Sequence, residues 1–176
     1  MRKWFTLLFI LFLVSPSSVQ AQNAITFDSL NVRLLAEYDQ PSMLVIYDFE
    51  PTADTTLPAS VNIRIPKDAN ITAVASQEST GLQNTEFTGP VDDGNWQTIT
   101  IFIKTLTTYH VEYYEPINRE GNNRSFTYTW TGDYPINSFR VDIQLPSDST
   151  SVKASDRKST RLNSSHIQKS RMPSSA

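Results

Sequence analysis

The sequence predicts an all-β protein with a single domain, an antiparallel β-sandwich of the immunoglobulin-like or jelly-roll-like kind. Apolar residues recur at every second position in many short segments, whereas the 3.6-residue spacing of an amphipathic helix is almost absent. Clusters of Asp, Asn, Gly and Pro separate these segments. Short alternating strands divided by such turns are typical of a sandwich.

Two terminal segments are set apart before the strands are assigned. Residues 1–21 begin with Arg2 and Lys3, continue through WFTLLFILFLV and end in Val19-Gln20-Ala21, which predicts a secretory signal peptide. Residues 156–176 read DRKSTRLNSSHIQKSRMPSSA, and most of this stretch is what one frame of a common short-read sequencing adapter encodes. We therefore expect an exported protein, extracellular or at the cell surface, with an artefactual and disordered tail. The sandwich is expected over 22–147, and 148–155 is a linker or a truncated continuation.

The first three predicted strands lie in the amino-terminal half. In ITFDSLNVRLLAEY, residues 25–38, apolar residues occupy every second position, but the phase of this alternation shifts at Asp28-Ser29. The shift predicts a β-bulge. SMLVIYDFEP, residues 42–51, is apolar on both faces, which predicts a strand in the middle of a sheet. SVNIRIP, residues 60–66, has one apolar and one polar face.

Four further strands are predicted in the second half of the sandwich. WQTITIFIK (96–104) and SFRVDIQLP (138–146) alternate regularly, and so does SFTYTWTGDY (125–134). YHVEYYEP (109–116) has aromatic residues on both faces and is either central or exposed.

Charge and composition exclude several classes of function. The segment 22–155 holds 8 basic residues against 17 acidic ones, a net charge of about −9. Such a charge disfavours phosphate backbones, so we expect no nucleic-acid partner. The chain has no Cys, which excludes thiol nucleophiles and Cys-based zinc sites. The apolar run WFTLLFILFLV is shorter than the roughly 20 residues of a membrane span, which favours a cleaved signal peptide over the alternative of an uncleaved membrane anchor. No membrane insertion is expected within 22–154.

Candidate catalytic residues are few. His110 is the one His outside the tail, no nucleophile-elbow sequence accompanies it, and one His is too few for a metal site. Asp48 and Glu50 share a face of a predicted strand, as a glycosidase carboxylate pair could, but their surroundings favour a strand end at the solvent. The stretch 92–95, DDGN, is better explained as a tight turn than as a calcium loop. We expect no enzyme, no metal ligands and no cofactor.

Aromatic residues are the remaining candidates for ligand binding. Exposed rings on a sandwich can stack on sugars, although the same residues also build cores. The candidates for glycan stacking are Trp96, Trp130, Tyr113 and Tyr114.

One stretch carries a family resemblance. EYDQPSMLVIYDFEPTADTTLPASVNIRIP, from Glu37 to Pro66, has an aromatic-Asp-x-Pro turn, an apolar strand reaching a Tyr, then LPA, a strand and IP. It resembles exported β-sandwich domains of envelope proteins from filamentous green non-sulphur bacteria. The resemblance implies a non-enzymatic structural or adhesive module of a larger bacterial cell-envelope protein, and it supplies no catalytic residues. The alternative is a carbohydrate-binding module, so the expected partner is a glycan or another envelope protein.

Overall fold

The computed structural model describes residues 24–155 and, for the backbone alone, the strand Ser165–Arg171. The described residues form twelve strands and no helix. In chain order they are β1 (Phe27–Ala36), β2 (Met43–Pro51), β3 (Ala59–Pro66), β4 (Asn70–Glu78), β5 (Gly81–Asn84), β6 (Phe87–Asp93), β7 (Trp96–Ile103), β8 (Tyr109–Glu115), β9 (Asn118–Glu120), β10 (Asn123–Ser125), β11 (Ile136–Leu145) and β12 (Ser165–Arg171).

The strands build a sandwich of two sheets. The larger sheet has the order β12-β11-β1-β2-β8-β4-β5, the smaller one has the order β3-β7-β6, and β9 pairs with β10 in a separate hairpin. Alternate side chains of both sheets meet in one core, because successive residues of a strand point to opposite faces. Residues of this core that are at most 1% exposed include Phe27, Val32, Tyr47, Phe49, Val61, Ile63, Ile99, Ile101 and Val111. The prediction of an all-β sandwich is confirmed.

The larger sheet is mixed: four of its strand pairs are antiparallel, as the sequence predicts, and two are parallel. β1 pairs with β11 in parallel, with Val32 opposite Val141. The two strands are separated by most of the domain, so no tight hairpin forces them to be antiparallel. The alternation of apolar residues is the same in both kinds of pairing, and the sequence pattern therefore could not distinguish them.

Two detailed predictions about the larger sheet are confirmed. The pairing of β1 with β2 shifts register between Phe27 and Ser29, where the phase slip predicts a bulge. β2 lies between β1 and β8, in agreement with its apolar residues on both faces.

The predicted strand over SFTYTWTGDY is wrong beyond Ser125, where β10 ends. Phe126, Tyr128 and Trp130 are all half-buried because they pack against the core, and they alternate with the exposed Thr127 and Thr129. Their alternation thus reflects contact with the core and not a hydrogen-bonded ladder. β4, β5 and β6 were not predicted, since β5 and β6 are almost entirely exposed and lack the pattern that burial on one face produces.

The terminal predictions lie largely outside the described residues. This holds for the whole signal peptide, 1–21. In the tail, the backbone of Ser165–Arg171 lies parallel to β11, although the sequence predicts disorder for 156–176. Pairing at an open sheet edge uses backbone groups that every sequence has. The adapter origin of the tail stays a prediction.

Candidate functional site

A network of charged side chains crosses the outer face of the larger sheet, on the side away from the core. We call Arg33, Asp48, His110 and Glu112 the outer-face network. Arg33 stands on β1, Asp48 on β2, and His110 and Glu112 on β8. Asp48 and His110 are directly opposite each other in the β2/β8 ladder, which places their side chains on the same face.

Both ring nitrogens of His110 are bound to carboxylates. Nδ1 lies 2.7 Å from Oδ1 of Asp48, and Nε2 lies 2.9 Å from Oε1 of Glu112. Burial by itself would lower the pKa of His110, but the hydrogen bonds and charges of Asp48 and Glu112 outweigh it and raise the pKa. Carboxylates only accept hydrogen bonds, so this geometry fits an imidazolium that donates from both nitrogens.

Asp48 is held in its ionised form by the same network. Burial would raise its pKa, but the hydrogen bond from His110 and the charge of Arg33, whose Nη2 lies 2.9 Å from Oδ2, lower it. A glycosidase acid requires the opposite, a carboxyl whose pKa is raised. Glu50 is exposed and is paired in register with Ser29 on β1. Asp48 and Glu50 lie on the same face of β2, as predicted, but the carboxylate of Asp48 is bound to two cationic side chains, Arg33 and His110.

The network lacks the arrangement of a general base. An imidazolium with both N–H groups bound has no lone pair with which to take a proton. The residue opposite His110 on its other side is Ala75 of β4, which carries no hydroxyl. The chemistry that the arrangement performs is electrostatic: it joins three neighbouring strands through charge-assisted hydrogen bonds.

A small apolar cluster adjoins the network on the same face. Leu35, Leu44 and Ile46 are between 5% and 8% exposed, and Tyr114 packs against them. The hydroxyl of Tyr114 donates to the carboxylate of Asp39 at 2.7 and 2.8 Å, and this hydrogen bond is the main reason that its pKa is raised to about 12.

The four rings predicted to stack on glycans do not form one surface. Tyr113 is 1% exposed and lies in the core, so its assignment as a glycan contact is wrong. It cannot form a platform with Tyr114, because consecutive residues of β8 point to opposite faces. Trp96 stands on the outer face of the smaller sheet, on the other side of the sandwich from Tyr114. Trp130 packs edge-on against Tyr47, with a ring centroid distance of 5.9 Å.

A cluster of buried tyrosine hydroxyls in the core is not predicted from the sequence. The hydroxyl of Tyr47 lies 2.8 Å from that of Tyr113 and 3.2 Å from that of Tyr128. Burial, above all other causes, raises the pKa of Tyr47 to about 12. All three residues stand at inward positions of their segments, but the spacing of inward positions does not show that three hydroxyls meet.

A shallow open cleft at one end of the sandwich contains the most perturbed carboxyl of the described residues. Its volume is about 420 Å³, and it is lined by Pro66, Lys67, Asp68, Asn95, Glu115 and Pro116. Burial, followed by the charge of Asp68, raises the pKa of Glu115 to about 7. A carboxyl whose pKa is raised in this way is a weaker cation ligand at neutral pH than an ordinary Glu.

Among the described residues, no group of three or more His, Cys, Asp or Glu side chains could hold a metal ion. No helix in that part is long and apolar enough to cross a membrane.

No protein-family model and no curated protein sequence matches the chain.

Proposed function

We propose that the chain is a non-enzymatic, exported structural or adhesive module of a larger bacterial cell-envelope protein. The observation that carries the proposal is the state of His110, whose two ring nitrogens are both bound to carboxylates. The residue best suited to catalysis thus serves to join strands. The amino-terminal pattern of a signal peptide and the net charge of the segment 22–155 support export and solubility.

The absence of enzymatic activity is tested with a broad panel of hydrolase substrates. We expect the wild type, His110→Gln and Asp48→Asn to give the same rate as buffer. A rate above buffer that His110→Gln abolishes while the variant remains folded would overturn the proposal.

Export is tested with a reporter that is active only outside the cytoplasm. Residues 1–21 are fused to alkaline phosphatase that lacks its own signal, and we expect phosphatase activity. The matched control lacks residues 4–14, the apolar segment WFTLLFILFLV. Equal activity of the two fusions would show that this segment does not direct export.

A further inference from the structure

The segment that follows β10 has the composition of a strand but is not paired as one. Residues 126–131 read FTYTWT and contain no turn or bend, and aromatic residues alternate with threonines along them. Aromatic and β-branched residues are the types most enriched in strands. No residue of this segment belongs to a ladder, and none of its backbone groups is hydrogen-bonded to the backbone of another described residue. The segment therefore presents unpaired N–H and C=O groups in a part of the chain that favours strand pairing.

Side chains hold the segment in place. The hydroxyl of Tyr128 donates to that of Tyr47 at 3.2 Å, and Trp130 packs edge-on against the same ring with a centroid distance of 5.9 Å. Just beyond the segment, Nε of Arg64 donates to the carboxylate of Asp133 at 3.1 Å. These contacts fix the inward row of rings and the carboxyl end of the segment, so its backbone position is defined without backbone pairing.

The segment is complementary to itself in an antiparallel register centred on Tyr128. In that register Tyr128 lies opposite Tyr128 of a second copy, Phe126 lies opposite Trp130, and Thr127 lies opposite Thr129. Aromatic pairs then occupy the inward face, and pairs of exposed threonines occupy the outward face. Both kinds of cross-strand pair stabilise neighbouring strands.

Charge favours association at the same place. The segment 22–155 has a net charge of about −9, so two copies repel each other over most of their surfaces. No charged residue lies between Ser125 and Gly132, and pairing there puts no like charges opposite each other. β6, at the edge of the smaller sheet, instead contains Pro90 and ends in Asp92 and Asp93, which oppose pairing with a second copy.

We propose that residues 126–131 form a self-association site, at which two copies of the chain pair antiparallel about a two-fold axis at Tyr128. Each contact then occurs twice, as a two-fold axis requires. Backbone hydrogen bonds between the two segments hold the dimer, and the ring and threonine pairs fix the register. The inference goes beyond the proposed structural role and does not depend on export.

The association is measured on the full chain by sedimentation between about 1 μM and 1 mM. We expect a reversible equilibrium between monomer and dimer. Hydrogen exchange at the two ends of this range locates the contact, because amides that become hydrogen-bonded in the dimer exchange more slowly. We expect protection of residues 126–131 that increases with protein concentration.

Two double variants test the register. Thr127→Lys/Thr129→Lys places Lys opposite Lys at two points and should weaken the dimer at least about tenfold. Thr127→Glu/Thr129→Lys places Glu opposite Lys and should keep the affinity within about threefold of the wild type. Both variants change the same two exposed positions. The first also reduces the net negative charge, so a weaker dimer in that variant cannot result from overall repulsion.

Four results would overturn the proposal. A chain that is monomeric up to about 1 mM has no such site. Equal affinity of the two double variants would show that the threonine rows do not face each other, and concentration-dependent protection at another strand would place the contact elsewhere. Protection of residues 126–131 that does not change with concentration would show that the segment pairs within its own chain. Sedimentation and hydrogen exchange use the wild type, so they remain decisive even if a variant fails to fold.

Discussion

His110 and Asp48 face each other across the β2/β8 ladder, with 2.7 Å between Nδ1 of the ring and Oδ1 of the carboxylate. The His110 side chain is only 5% exposed although it stands on the outer face of the sheet. The second ring nitrogen of His110 is bound to Glu112, and the second carboxylate oxygen of Asp48 is bound to Arg33. An ionisable residue that is buried in this way makes stability depend on pH.

The first prediction concerns the pH dependence that His110 contributes. Its pKa is raised in the folded protein, so its stabilising contribution is complete below the unfolded pKa and is lost as pH rises through the folded pKa. His110→Gln should therefore cost more stability at about pH 5.5 than at about pH 8.5, on the order of 1–3 kcal/mol at the lower pH. Urea unfolding of both proteins at both pH values measures the difference. An equal cost at the two pH values would show that folding does not raise the pKa of the ring.

The second prediction concerns Glu115 in the open cleft. Its pKa is raised to about 7, mainly by burial, so ionisation destabilises the folded state progressively between the unfolded pKa and about pH 7. Glu115→Gln should stabilise the protein at about pH 8, by on the order of 1 kcal/mol once solvent screening of this half-exposed group is allowed for. The gain should vanish near about pH 4.5. Thermal unfolding measures the stability of Glu115→Gln at both pH values, and Glu120→Gln, at an exposed position on β9, is the control. The same pH-dependent gain in stability in both variants would show that the effect does not arise from the burial of Glu115 in the cleft.

The third prediction concerns the buried tyrosine hydroxyls. Tyr47→Phe removes the hydroxyl that contacts both Tyr113 and Tyr128, so two buried hydroxyls lose a partner. The cost should be about 1–3 kcal/mol of unfolding free energy. Tyr128→Phe keeps the shorter hydrogen bond between the hydroxyls of Tyr47 and Tyr113, so it should lower the unfolding free energy by less than Tyr47→Phe does. Chemical denaturation ranks the two variants, and the reverse order would mean that Tyr128 is the central member.

The fourth prediction concerns the rings that the sequence singles out for glycan stacking. Because Trp96 and Tyr114 lie on opposite sides of the sandwich, Trp96→Ala and Tyr114→Ala should leave migration in polysaccharide-containing native gels unchanged. Tyr113→Ala should instead destabilise the fold by about 3–5 kcal/mol, since it removes a large buried ring. Retention of the wild type by a polysaccharide, with loss in Trp96→Ala alone, would point to a carbohydrate site on the smaller sheet.

The fold class and most of the strands follow from the sequence alone, because alternation between apolar and polar residues is a local property. The bulge near Ser29 and the central position of β2 were predicted for this reason. The same rule fails at Tyr128 and Trp130, whose alternation arises from packing against the core without a ladder. Alternation indicates which side of an extended segment is buried, but it does not indicate whether the backbone of that segment pairs with a neighbouring strand.

The candidate site depended on the tertiary structure. His110, Asp48 and Arg33 come from three strands, and their distance along the chain gives no sign that they meet. Only the pairing of β1 with β2 and of β2 with β8 brings them onto one face. The sequence by itself determined that the chain folds as a β-sandwich and which side chains point inward in the regularly alternating strands, since both follow from neighbours two residues apart. Strand order, the parallel pairing of β1 with β11 and the engagement of both nitrogens of His110 were decided by long-range register, which local pattern does not encode.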